Sequence, residues 1–397
     1  MRRGAGIGDV RRLGRVVGAG ALCAAGVLAA GRVLGDPMPV LWKPSAQSPH
    51  PASADARLAP LMAACGTPDA ALIEVAGRAA RRQAGGGSLL AAEELAFHLR
   101  VSGDPHVWPR AWSIAGAGFD DDDLSRRIRA WVTPWNTLGQ RRCGVARLNA
   151  GDGTTVVAAV AVDALADLLP LPTTARVGQW LTLDGTMLVP ASAVQVVLLG
   201  PRGAPKTVPA SLTGDRIHST FSVDQAGGWV VQVLATVSTG PRPVLESMVY
   251  AGSAPPPQFV SVPAPGEGAA QGARDDDDGM LRMINAARAS EALGPLARDP
   301  VLDKLARVHS EEMLKARLVG HDVGTGDPAA RLRAAGVSAH VAGENVAAAS
   351  SLENAHRALW ASPSHRGNLL LDQFTRVGVA VVRAPDGMVW VTEMFSG

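Results

Sequence analysis

Aromatic residues are scarce. They make up 4% of the 397-residue chain: nine tryptophans, six phenylalanines and a single tyrosine. Excess charge of either sign is also missing. Lys and Arg total 38 against 36 Asp and Glu, a net charge of +2, so no concentrated basic face attracts phosphates and nucleic acid is not an expected partner. There are only three cysteines, Cys23, Cys65 and Cys143. None is spaced as C-x-x-C, which removes the zinc-knuckle and thioredoxin-type readings. There is no H-E-x-x-H helix. The acidic runs Asp120–Asp123 and Asp275–Asp278 lack the alternating ligands and bidentate Glu of a calcium loop. They read as solvated charge runs leading into helix N-termini, where the helix dipole favours carboxylates.

What is present begins with an export-type N-terminus. Arg2, Arg3, Arg11, Arg12 and Arg15 form a basic region, followed by an uncharged stretch from Val16 to Gly31. That stretch is shorter than the ~20 residues of a spanning helix, so residues 1–31 read as a signal peptide and not a stable anchor. The destination is then extracellular or periplasmic. Removing the segment leaves Cys65 and Cys143, either as a disulfide or as two buried thiols.

At 397 residues the chain is too long for one ordinary core, and the length suggests two to three domains. Residues 32–56, rich in Pro, Ser and Ala, read as a spacer. Residues 57–168 carry helical periodicity at Ala70–Gln83, Leu89–Arg100 and Leu124–Trp131, then two strands around Ala150–Gly153. Residues 172–251 hold six or seven short β-type runs, among them Ala193–Leu199 and Gly228–Val237. Their spacing predicts an antiparallel β-sandwich, immunoglobulin-like in the broad sense. Residues 252–274 have a linker composition and are expected to stay extended or mobile.

Residues 275–397 are locally the most consistent. A helix from Met280 to Leu293 stops at Gly294-Pro295. A second starts at Asp299-Pro300, an N-cap followed by proline at the first helical position. A third starts at Asp327-Pro328, and a fourth is given a capping box, Ser350 with Glu353. A hairpin over Arg376–Arg383 and Met388–Thr392 ends the pattern. Helices flanking a small sheet make an α-β-α layered domain. Arg142-Cys-Gly-Val-Ala in the first region matches Arg376-Val-Gly-Val-Ala here. Residues 57–168 are therefore either a degenerate copy of this domain or a chance likeness between Val/Ala hairpins.

Ile284-Asn285 with Arg288, Asp299-Pro300-Val-Leu302, Gly320-His321, Gly343-Glu344-Asn345 and Ser362-Pro363-Ser364-His365-Arg366 with Asn368 occur in one order over about 120 residues. In this the segment resembles the CAP superfamily (cysteine-rich secretory, antigen 5 and pathogenesis-related proteins), bacterial type. The fold class implied is multidomain α+β, with a C-terminal CAP sandwich, a central β-sandwich and an N-terminal mixed α/β region. The resemblance implies a cleft with His321, Glu344, Asn345 and His365. His321, Glu344 and His365 are the expected ligands of a metal, zinc being the candidate. The family's second cleft Glu is missing, because Trp360 is followed by Ala361-Ser362-Pro363. Glu393 is not a motif match. Structural roles compete: His321 as a helix cap, His365 as a hydrogen-bonded turn residue, Glu344 and Asn345 as loop pins.

Three functional classes follow. The first is an exported protein binding a small ligand, lipid or metal in the His/Glu cleft, or an envelope or extracellular protein. The second is a metal-dependent hydrolase or peptidase, with Glu344 activating water. The third is a cell-surface adhesion module. Ser362 and Ser364 beside His365 are too common a composition to imply a triad, so no catalytic residue is assigned.

Overall fold

The computed structural model describes residues 40–45, 55–149 and 153–397. The expected signal peptide and most of the spacer lie outside them, as does most of the turn Ala150–Gly153. Among the described residues no helix is long and apolar enough to cross a membrane.

The first region is a mixed α/β unit: α1 (Ala59–Cys65), β1 (Thr67–Pro68), α2 (Ala70–Ala84), α3 (Ala92–Val101), β2 (Arg110–Gly116), α4 (Asp121–Val132), β3 (Gln140–Asn149) and β4 (Thr155–Ala164). All three predicted helices form. The acidic run supplies the N-cap of α4, Asp120 accepting from Asp123 N at 2.6 Å, as the dipole argument requires. The sheet order is β1-β3-β4-β2, with β1 parallel to β3. β4 is apolar along nearly its whole length because helices cover both faces: α1 and α4 on one side, α2 and α3 on the other. Cys65 and Cys143 form a disulfide, Cα atoms 5.9 Å apart.

The central region packs two sheets on one core. One is β10-β11-β7-β5, from β5 (Ala166–Leu168), β7 (Gln179–Met187), β10 (Ala210–Thr213) and β11 (Arg216–Val223). The other is β6-β13-β12-β8-β9, from β6 (Thr174–Ala175), β8 (Ala193–Leu199), β9 (Lys206–Val208), β12 (Gly227–Val237) and β13 (Gly240–Ala251). Inward residues alternate along β11 and β12, and Phe221, Trp229 and Val233 meet between the sheets. Trp229 donates its indole N–H to Gln225 O at 2.9 Å, so this buried ring has its polar handle satisfied.

The C-terminal region contains α5 (Asp276–Ser290), β14 (Ala297–Arg298), α6 (Pro300–Ala316), α7 (Pro328–Ala334), β15 (Ala342–Ala349), α8 (Leu352–Ala361), α9 (Pro363–Leu369), β16 (Arg376–Arg383) and β17 (Val389–Ser396). Its sheet runs β14-β16-β17-β15, again with one short parallel strand at an edge. Asp275 and Asp299 cap α5 and α6 as expected. The cap of α8 is Ser351 and not Ser350: Ser351 Oγ accepts Asn354 N at 3.1 Å, while Ser350 binds the Asn354 side chain. Adjacent serines make the register ambiguous in sequence, and the backbone selects the second.

Sheet order, the short parallel strand and a particular glycine recur in both α/β units. Asp69 N donates to Cys143 O and Asp299 N to Val377 O, each at 2.9 Å. A side chain on Gly144 would overlap the backbone of Leu72 and Ile73; one on Gly378 would overlap Leu302 and Asp303. In each unit a helix therefore crosses a strand at glycine distance.

The expected free linker is instead a strap. Trp42 Nε1 donates to Pro256 O at 2.8 Å, and Val40 N to Pro257 O. Further on, Ala264 enters the C-terminal core, Pro265 O accepts from His356 Nε2, and Glu267 forms a two-pronged ion pair with Arg357. Composition alone predicts no core, but one buried Ala and a few hydrogen bonds suffice to fix so short a segment.

Candidate functional site: a pair of imidazoles on a buried Glu–Arg clamp

α6 buries Leu302, Ala306, His309 and Met313 along one face, and Arg317 ends it in the left-handed region at φ 52°. The chain then turns back, and His309 holds that turn. Its Nε2 donates to Gly320 O at 2.9 Å from a fully buried position. Burial pushes the His309 imidazole down, outweighing the attraction of Glu344.

His321 follows, half-buried, with Nδ1 2.8 Å from Glu344 Oε1. Glu344 lies on β15 with its side chain buried. Arg331, from α7, reaches it with two nitrogens, Nη1 to Oε2 at 2.6 Å and Nη2 to Oε1 at 3.1 Å. The same guanidinium donates to His321 O at 2.8 Å and Gly326 O at 3.0 Å. Burial opposes ionisation of Glu344, but hydrogen bonds from His321 and Arg331 outweigh it and hold the carboxyl below its ordinary range.

Asn345 is next on the strand and points through the other face. It is fully buried. Its Nδ2 donates to Glu393 Oε2 at 2.9 Å and His365 O at 3.2 Å, and its Oδ1 accepts from Asn368 at 2.9 Å. Asn345 is therefore a pin beneath the α8–α9 turn and not a cleft residue. His365, in the first turn of α9, is drawn down to about 3 by burial and then by the charge of His321. The charge of His321 is thus felt at His365, which puts the two imidazoles within electrostatic reach of each other.

Glu393 stays out of the site. Its Oε1 is buried without a partner, and burial pushes the acid up to about 7 against the hydrogen bond from Asn345. The four expected cleft residues thus divide. His321 and His365 are each only partly exposed; Glu344 and Asn345 are buried supports. The expected three-residue metal set does not assemble, and among the described residues no three of His, Cys, Asp and Glu gather at metal-holding distance. Arg331 reaches both oxygens of Glu344. Neither Arg331 nor His309 carries a motif. The available signals were Arg331 beside Leu332 on the inward side of a short helix and His309 in the apolar stripe of α6.

The central region borders the loop of His321 and the turn carrying His365. Thr239 O accepts Asp322 N at 3.4 Å, and Gly240, at φ 91°, lies against His321. Gln232, fully buried on β12, donates to Ser362 Oγ and accepts Ser364 N, both at 3.2 Å. Gln232 also donates to Glu246 at 2.8 Å, and Glu246 pairs with Arg100 of α3. A polar chain therefore links all three regions to the turn carrying His365.

Residues 281–395 match the family model described as the cysteine-rich secretory protein family, CAP. The uncharacterized protein YkwD of Bacillus subtilis (strain 168) is 34% identical over 120 residues, 30% of this chain and 46% of YkwD. The match thus spans about half the length of that relative. Among solved structures, an extracellular protein containing a SCP domain from Bacillus anthracis str. Ames aligns over 59% of this chain and 86% of its own, at 19% identity and TM-score 0.29. An outer surface protein from Borrelia burgdorferi aligns over 31% of this chain and 92% of its own, at 21% identity and TM-score 0.30. Scores that low leave the sequence matches to carry the assignment. At its C-terminus this chain carries a CAP domain of the bacterial type.

Proposed function

We propose that this is an exported binding protein that offers the paired imidazoles of His321 and His365 to a small ligand or extracellular partner at the seam with the central domain. The observation that carries the reading is the division of labour at the site. Nδ1 of His321 is committed to Glu344, which leaves Nε2 for a ligand, and His365 is kept neutral beside it. The central domain, read as an immunoglobulin-like sandwich, supplies one rim. The first unit is read as a degenerate CAP copy without this site, on the strength of the shared sheet order and the Gly144/Gly378 crossings.

A metal remains a reading of the same site in altered form. Its donors would be His321 Nε2 and His365, with Glu344 behind His321 as the carboxylate that fixes the ring. A cation bound there would act as a Lewis acid. Arg331 beside Glu344 opposes direct ligation by that carboxylate. Glu344 is equally unsuited as the base of a hydrolase, since both oxygens are engaged and its basicity is reduced.

The test is zinc calorimetry on the whole exported chain, with native mass spectrometry for retained ligands, beside a His321→Ala/His365→Ala variant. Binding or retention lost in the variant supports the site. Ligand or zinc held equally by both proteins, or by neither, sinks it. In the metal case Glu344→Gln weakens zinc about 10- to 100-fold, as loss of an outer-shell partner does.

A further inference from the structure

The buried guanidiniums Arg142, Arg288 and Arg331 all have partners. Arg142 binds Asp167, Arg331 binds Glu344, and Arg288 donates to the carbonyls of Gly294, Leu369 and Leu371. Three others have no carboxylate partner, and they lie together: Arg110 is exposed, Arg141 and Arg242 are partly buried, and Arg242 Nη1 donates to Thr239 Oγ1 at 3.3 Å. Arg110 stacks over the Trp135 ring at 4.4 Å, Arg141 lies 5.9 Å from the same ring, and Arg242 stacks over Trp108 at 4.7 Å. Trp131 meets Trp135 edge to face at 4.7 Å and extends the strip over the first domain.

Among the described residues no carboxylate lies within 4.0 Å of these three guanidiniums. The Nε atoms of Arg141 and Arg242 are buried without an acceptor. The acid that Arg110 and Arg242 feel is Asp163, and its oxygens already accept the backbone N–H groups of Leu138 and Gly139 at 2.8 and 2.9 Å. Burial pushes both arginines down. Partly desolvated cations that share one carboxylate only at a distance gain from an anion that reaches them directly.

A second, independent observation comes from Trp108. It is 47% exposed, with φ 54°, the left-handed region that bulky side chains avoid, and the following Pro109 restricts it further. The fold holds a large apolar ring outward at a cost in backbone strain, a pattern that accompanies ligand clamps.

The ligand must offer flat apolar faces to indoles and anionic groups to guanidinium forks. A sugar ring bearing an acid does both: its C–H face covers an indole while the acid takes two N–H donors. Single-stranded nucleic acid also stacks on aromatics, but it needs a cationic track along its backbone, and here there are three guanidiniums on a chain of net charge +2. We propose that the strip formed by Trp108, Arg110, Trp131, Trp135, Arg141 and Arg242, at the junction of the first and central domains, binds a glycan carrying carboxylate or phosphate groups. It is separate from the paired imidazoles and does not depend on their role.

The test is tryptophan fluorescence titration of the whole chain with oligogalacturonate, phosphomannan, cellohexaose and a dT12 oligonucleotide at low and moderate salt. Oligogalacturonate or phosphomannan quenches the fluorescence and binds at least tenfold tighter than cellohexaose, more weakly as salt rises; which of the two binds identifies the acid. Trp108→Ala and Arg110→Gln each weaken that binding at least tenfold, while His321→Ala/His365→Ala leaves it unchanged. Unaltered thermal unfolding of Trp108→Ala, a surface change, separates loss of the site from loss of the fold. The proposal is overturned by absent binding to both anionic glycans, by equal binding of cellohexaose, by tighter binding of dT12, or by variants that bind like the wild type.

Discussion

Two buried titratable residues, Glu393 and His365, pull the stability of the CAP domain in opposite directions with pH. Glu393 is raised to about 7, so between its unfolded value near 4.5 and pH 7 the folded state holds the extra proton and stability falls as pH rises. That shift corresponds to about 3 kcal/mol. His365 is lowered to about 3, so below its unfolded value near 6.5 the unfolded state holds the extra proton and stability falls as pH drops. The slopes cancel between pH 4.5 and 6.5. Urea unfolding of Glu393→Gln should therefore show higher stability than wild type at pH 8 and an uncovered acid decline beginning near pH 6.5. A variant that parallels the wild type at every pH would refute the account. Arg331→Met should cost about 3 kcal/mol or more, because it strands the buried Glu344 with His321 alone. Denaturant midpoints measure it, and a cost below about 1 kcal/mol would mean that Glu344 finds another partner. At this scale the sequence made His321, Glu344 and His365 legible through their motifs. It did not show that Arg331 takes the carboxylate away from a ligand role, since an ion pair between α7 and β15 leaves no spacing signal.

Helix starts were the most readable elements, because Asp-Pro and acidic runs mark N-termini by a local mechanism. Asp299, Asp327 and Asp275 all cap as expected. The strand Ala193–Leu199 has the bounds its apolar run suggests. Less readable was the strap, where Ala264 and Glu267 act through residues about ninety positions away. The glycine crossings carry a direct consequence for the elements they join. Gly378→Ala must push α6 off β16, and Gly144→Ala must push α2 off β3. Each should lower stability by about 3 kcal/mol, the upper range for overpacking a core. Thermal unfolding checks both, and a neutral Gly144→Ala beside a damaging Gly378→Ala would count against reading the first unit as a copy of the second.

Across the whole molecule the disulfide closes the longest covalent constraint, 78 residues between Cys65 and Cys143. Loop entropy assigns it roughly 4 kcal/mol, so Cys65→Ala/Cys143→Ala should lose most of that in chemical denaturation at equal pH. The sequence left thiol and disulfide open, because pairing depends on how α1 meets β3. It also gave no sign that Gln232 and Glu246, ordinary polar residues on strands, would tie three regions of the chain together.

The strap has a further consequence, in terms of proteolysis. Between its two anchored ends, on either side of Ser261, which meets Glu93 and Arg357 through its hydroxyl, Val260 and Val262 are 64% and 69% exposed in irregular backbone, the kind of segment a protease enters first. A single cut there leaves both stumps fastened, one through Trp42 and Pro256, the other through Glu267 and Arg357. The nicked protein should elute from a sizing column as one particle, yet run as two bands once denatured.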